Sequence, residues 1–330
     1  MRLRRDLAAA GLLGLLSGVV AKDNLVVLLD VNSTQLLNLD FPDPSGLRGD
    51  DGKWYAFATN NRGHKVQVAV ADGDLRGPWS YLNLDALPDP GPWAAENDVW
   101  APDVRRVGNT YVLYYSARLK DNSPIHCVGV ATSDAIVGPY MPAAAPWACP
   151  VGQGGAIDAS GFRDTATGRQ WVMYKIDGNA LGHGGSCNNG VEPLQPTPIM
   201  LQEVADDGVT KIGDAFPILD RTADDGPLVE APNVAMGPDG SYVLFYSSGC
   251  YDSPSYDVKY ATAGAVEGPY TRGGNLLKTG DFGLTAPGGA TAVEGSRQML
   301  LHANCHGTSG RCMFLASWAV NGDQAIDSQR

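Results

Sequence analysis

One pattern of apolar positions recurs five times along the chain. It is a short aromatic or aliphatic run, seen as Trp54-Tyr55-Ala56-Phe57-Ala58, Tyr111-Val112-Leu113-Tyr114-Tyr115, Trp171-Val172-Met173-Tyr174-Lys175, Tyr242-Val243-Leu244-Phe245-Tyr246 and Met299-Leu300-Leu301-His302-Ala303. Successive starts lie 57, 60, 71 and 57 residues apart. A turn precedes each copy (Asp50-Asp51-Gly52, Gly108-Asn109, Thr167-Gly168, Asp239-Gly240, Glu294-Gly295), as hairpins require. A second β-rich run follows each: Val66–Ala71, Cys127–Thr132, Pro198–Val204, Val258–Thr262 and Cys312–Trp318. Three units close on a Gly-Pro-aromatic step, Gly77-Pro78-Trp79, Gly138-Pro139-Tyr140 and Gly268-Pro269-Tyr270. A β-sandwich has no reason to repeat turn, strand and closing step in one order. Three or four antiparallel strands repeated about every 60 residues make a propeller blade. The pattern predicts an all-β, five-bladed β-propeller, with residues 22–330 forming a single domain and no linker inside it.

The first residues lie outside this pattern. Arg2, Arg4 and Arg5 precede an apolar run, Leu7 to Ala21, that ends in Val19-Val20-Ala21. The run is short for a membrane span and contains Gly and Ser. It reads as a cleaved signal peptide over residues 1–21, which predicts a secreted, extracellular protein. Its removal takes away three Arg and one Asp, so the net charge moves from -12 to -14. An acidic chain without a Lys/Arg cluster excludes nucleic acid and anionic membranes as expected partners. The 6 Cys of an exported chain are expected in disulfides, and no Cys-x-x-Cys pair suggests zinc or redox chemistry. Asn32-Ser33-Thr34 is a glycosylation sequon suited to the same compartment.

In a blade the first strand lines the central channel, and its start shares a face with the loop between strands two and three. Asp43, Asp158 and Glu230 stand 11, 13 and 12 residues ahead of their aromatic strands, close to one repeat position. They are expected to converge at one mouth of the channel. A lone Asp beside Pro or Ser commonly caps a turn. Three acids at one repeat position point instead to chemistry, because clustered carboxylates raise one another's pKa and one keeps its proton. Asp103 sits nearer its strand and reads as structural. The loops between strands two and three carry His64, His126, His183 and His306, as sugar-contacting donors or simply exposed side chains. The same loops hold or adjoin most of the cysteines, so disulfides are expected to staple the pocket rim, Cys305 to Cys312 being the pairing favoured by proximity. The Gly-rich segment Asp177 to Pro196 is expected to shape access to the pocket.

The segments Asp43-Pro44-Ser45-Gly46-Leu47, Trp100-Ala101-Pro102-Asp103-Val104, Ile157-Asp158-Ala159-Ser160-Gly161-Phe162 and Val229-Glu230-Ala231-Pro232-Asn233-Val234, in this order and period, resemble glycoside hydrolase family 43. That family holds arabinofuranosidases, arabinanases and xylosidases. The resemblance implies Asp43 as general base, Glu230 as general acid, and Asp158 as the residue that tunes and orients Glu230. It also implies inversion at the anomeric carbon, which needs roughly 6.5–9.5 Å between base and acid. The implied substrate is an α-L-arabinofuranosyl linkage in plant cell-wall arabinan or arabinoxylan, the alternatives being a β-xylosidase or a non-catalytic sugar-binding propeller. Fructosyl-acting propellers fit less well, since Phe41-Pro42 stands where their Asn precedes the Asp-Pro step. Trp100 and Trp93 are candidates for stacking on a sugar face, with a core role open for either, and His64 is a further candidate contact. Many relatives place a histidine in the fifth first strand beside an axial ion. Here Ala286-Pro287-Gly288-Gly289-Ala290-Thr291 has none, and neither metal nor other cofactor is expected. A monomer is expected.

Overall fold

The computed structural model describes residues 27–32, 34–121 and 123–320. The leader expected over residues 1–21 and Ser33 of the sequon lie outside them. The described residues form five four-stranded antiparallel sheets arranged as a five-bladed propeller. Blade one consists of Ser45–Arg48, Trp54–Ala58, Gln67–Ala71 and Trp79–Leu82. Blade two runs from Ala94–Val107 through Thr110–Leu119 and His126–Ser133 to Met141–Pro142. Blade three holds Ala156–Arg163, Gln170–Ile176, Ile199–Val204 and Lys211–Leu219. Blade four holds Val229–Met236, Tyr242–Ser248, Asp257–Ala263 and Thr271–Leu277. The aromatic run of the sequence is the second strand of every blade.

Blade five is completed from the other end of the chain. Gly288–Ala292, Gln298–Asn304 and Arg311–Val320 are joined by Val27–Asn32, which pairs antiparallel with Leu315 to Val320. That closing strand was invisible to the repeat, because it carries the fourth strand of a unit whose other three lie far downstream. The pairing gives the terminal strand a partner and so closes the ring.

Five apolar clusters fill the molecule, one at each interface between neighbouring blades. At the seam, small side chains of blade one (Ala56, Ala58, Ala69) meet Leu300, Met313 and Leu315 of blade five. Second strands are buried on both faces, which is why they read as continuous apolar runs rather than alternating ones. The Gly-Pro-aromatic steps share one device. Trp79 Nε1 donates to Leu75 O, Tyr140 Oη to Ile136 O and Tyr270 Oη to Val266 O, at 2.8, 2.8 and 3.0 Å. The aromatic ring thus latches the preceding turn, and Gly77, Gly138 and Gly268 supply its left-handed backbone.

The start of the first strand in blades two to five carries a bulge. A left-handed residue marks each of these and the equivalent place in blade one: Asp43, Ala101, Asp158, Ala231 and Gly289, with φ of 53, 43, 57, 50 and 58°. These five residues, not the three acids, are the true repeat equivalents. Asp43 and Asp158 occupy the position; Glu230 stands one residue before it. The expectation of a single shared position is corrected accordingly, and the longer glutamate reaches the mouth from the preceding residue.

Candidate active site

Asp43, Asp158 and Glu230 all line one cavity of about 410 Å³ at the mouth of the channel. A smaller void of about 30 Å³ lies deeper on the axis, bounded by Asp43, Asp158, Ala101, Ala231 and Gly289. Asp103 also lines that void, but its carboxylate is committed to Arg105 at 2.7 Å and to the Gly161 N–H at 2.8 Å, a structural use.

Asp43 is held as an anion. Its Oδ2 accepts from Thr59 Oγ1 at 2.6 Å, and Arg311 Nη1 stands 3.3 Å from Oδ1. Burial works to raise its pKa, but the Arg311 charge and the Thr59 hydrogen bond outweigh it, and the carboxyl sits well below the usual range. The Asp43 N–H donates to His302 Nδ1 at 3.0 Å. That nitrogen therefore carries no proton, and the 3.3 Å approach of His302 Nδ1 to Asp43 Oδ1 is not a salt bridge. Burial lowers the pKa of His302, in keeping with a neutral ring.

Asp158 and Glu230 form the other half of the site. Asp158 Oδ2 accepts the Ala231 N–H at 2.9 Å. Burial, and then the charge of Glu230, push its pKa up to about 8, with Lys175 opposing. Glu230 is gripped from two sides, by Lys175 Nζ on Oε2 at 3.1 Å and by the Tyr256 hydroxyl on Oε1 at 2.9 Å. A carboxylate holding a cation and a phenol is the better place for the negative charge. The coupled pair therefore keeps one proton between its two carboxyls near neutrality. Lys175 is fully buried and also meets Asp177 at 3.0 Å. Burial alone would lower its pKa, but Asp177, Glu230 and Asp158 raise it, and the ammonium stays charged.

Blade five contributes space instead of an acid. A Cβ on Gly288 would lie 1.9 Å from Tyr256 Cε1, and one on Gly289 would lie 2.7 Å from His302 Nδ1. The two glycines let the Tyr256 and His302 rings stack, 5.8 Å between centroids and 9° apart, beneath Glu230 and Asp43.

Of the proposed sugar contacts, Trp100 lines the cavity and stacks on His126 with centroids 3.7 Å apart. Trp93 does not line it: it packs on Tyr115 within the core between blades one and two. His64 is also outside the lining, stacked on Tyr81 with Nδ1 2.7 Å from its hydroxyl. Both are corrected to structural contacts, because their rings turn into a blade and not toward the axis. On the far wall Tyr251 is exposed over Arg311.

All six cysteines pair: Cys127–Cys149, Cys187–Cys250 and Cys305–Cys312. Cys187 lines the cavity, so its bridge ties the Gly-rich loop of blade three to blade four at the rim. Among the described residues, one grouping has the spacing of metal ligands, Cys187, Cys250 and Asp252. Its sulfurs are spent in that disulfide. That grouping does not fit a cation.

Residues 36–318 match the profile of glycosyl hydrolases family 43. The chain belongs to glycosyl hydrolase family 43. It is thus a carbohydrate-active enzyme. It is 35% identical over 307 residues to the probable arabinan endo-1,5-alpha-L-arabinosidase A of Aspergillus fumigatus, covering 82% of this chain and 77% of that one. The match to the same-named protein of Aspergillus flavus is 35% identical over 96 residues and spans 28% of each. A thermostable family-43 glycoside hydrolase of known crystal structure superposes with a TM-score of 0.69 at 24% identity, over 86% of this chain and 93% of that one, a likeness of fold.

Proposed function

We propose that this family-43 chain is a secreted, monomeric, inverting hydrolase of α-L-arabinofuranosyl linkages in plant cell-wall arabinan or arabinoxylan. The observation that carries the chemistry is the contrast between the two halves of one cavity: Asp43 stays ionised beside Arg311, whereas the Asp158–Glu230 pair retains a proton. An ionised carboxylate can take a proton from water, and a carboxyl pair holding a proton can give one to a leaving oxygen. In this reading Asp43 removes a proton from the attacking water as its oxygen bonds to the anomeric carbon. Glu230 delivers the pair's proton to the departing oxygen as substrate displaces water from the cavity. After turnover Asp43 carries the proton that Glu230 has lost, and exchange with solvent resets both. Trp100 offers a flat apolar face to a sugar. The arabinan linkage is supported by the names of the Aspergillus relatives.

Assay of the protein and its Glu230→Gln variant on nitrophenyl α-L-arabinofuranoside, nitrophenyl β-xyloside, linear arabinan and arabinoxylan tests this. The variant is expected to lose about 10³-fold in kcat with KM nearly unchanged. Proton NMR of the first-formed sugar is expected to show the inverted anomer. Preference for the xyloside would overturn the substrate, and binding without turnover in the parent would overturn the chemistry. N-terminal sequencing of exported protein tests the cleavage after Ala21.

A further inference from the structure

In four of the five blades the left-handed residue of the first strand aims its N–H at a side chain on, or one residue past, the second strand of the preceding blade. Ala101 donates to Thr59 Oγ1 at 2.8 Å, Asp158 to Ser116 Oγ at 3.0 Å, Gly289 to Ser247 Oγ at 3.0 Å and Asp43 to His302 Nδ1 at 3.0 Å. The four acceptors share one register position. Each lies two residues beyond the residue that faces the strand just after the bulge, namely Phe57, Tyr114, Phe245 and Leu300. In blade three the facing residue is Met173, and the equivalent position is Lys175.

A lysine ammonium has three donors and no acceptor. It cannot receive the Ala231 N–H, which instead goes to Asp158 Oδ2 at 2.9 Å. Lys175 turns to Asp177 and Glu230. A buried ammonium is tolerated only where carboxylates surround it, and this one stands at the single break in a ring of neutral acceptors.

We propose that Lys175 is a positioning residue: by occupying an acceptor slot it commits Asp158 to the Ala231 N–H, anchors Glu230 against Tyr256, and sets the pH at which the Asp158–Glu230 pair gives up its proton. This rests on the reading of Glu230 as the acid. The groups facing the pair are Lys175 and Asp177 from blade three, Tyr256 from blade four, and Asp43, His302 and Arg311 across the channel. His126, whose pKa burial lowers, faces Asp177 and adds no charge near neutrality.

Two variants move the pair in opposite directions. Lys175→Met removes the cation, so the alkaline limb of kcat/KM against pH should rise by about one pH unit or more. Asp177→Asn removes a competing anion, so the same limb should fall, by roughly half a unit. A purely structural lysine would lower activity at every pH without moving the limb. Infrared titration of the protonated-carboxyl band in unliganded protein gives the same comparison without substrate, and it decides the matter even if none of the four glycosides is cleaved. Should Lys175→Met fail to fold, Asp177→Asn still decides. An unmoved band and limb in Asp177→Asn, or shifts of one sign in both variants, overturn the proposal.

Discussion

Replacing Asp158 with Asn separates stability from activity in a way that only a shifted carboxyl produces. Asn keeps an acceptor for the Ala231 N–H and tolerates the left-handed backbone, φ 57°, at this position. What it removes is a titration. The folded pKa of Asp158, about 8, stands above its ordinary 3.8. A carboxyl so raised contributes its full stability below the ordinary value and loses it as pH climbs toward 8. By pH 7 the folded protein has forgone about three pH units of ionisation at 1.36 kcal/mol each. Because the proton is shared with Glu230, the expected effect is on the order of 2–4 kcal/mol. The variant should match the parent in urea unfolding near pH 4 and exceed it by that amount at pH 7. Its kcat should meanwhile drop by about 10²-fold. A stability difference independent of pH between 4 and 7 would refute the reasoning, since it would mean that Asp158 ionises normally.

Trp100→Ala should remove the stacking face, worth about 1.5 kcal/mol, and raise KM roughly tenfold while leaving kcat nearly intact, as steady-state kinetics would read. Gly288→Ala should drive a methyl into Tyr256, 1.9 Å away, lowering stability in thermal unfolding by about 2 kcal/mol or more and reducing kcat as the phenol leaves Glu230. Opening the Cys187–Cys250 bridge, which closes 63 residues, should lower stability by about 4 kcal/mol in the loop-entropy limit, measured by urea unfolding of the double Ser variant.

The blades were legible because each second strand is buried on both faces and leaves an unbroken apolar run. The two acids at the left-handed position, Asp43 and Asp158, were legible for the same reason: they recur with the strand. Glu230 was found by the same spacing, although its register differs by one residue. The residues that govern these acids were not found as such. His302 reaches Asp43 across 259 residues of sequence and Arg311 across 268, so no local pattern links them. Lys175 did leave a signal, a cation at the end of the apolar run Trp171-Val172-Met173-Tyr174. A lysine in a strand buried on both faces has to be neutralised by something, and that reasoning leads to Asp177 and Glu230. Trp93 and His64 were misplaced because loop position gives the face of the propeller but not the direction in which a ring turns.

The seam between blades one and five has a consequence for how the enzyme comes into being. Asp43 is synthesised well before its counter-cation Arg311 and the acceptor of its N–H, His302, which follow 268 and 259 residues later. A nascent or partly opened ring holds the carboxyl but not Arg311 or His302, and in that state it titrates as an ordinary aspartate in water. With Asp43 as the proposed general base, closure of the last blade is also the moment of activation. Turnover reports the fraction of molecules whose ring is shut, and a sub-globally opened molecule is silent long before it is unfolded.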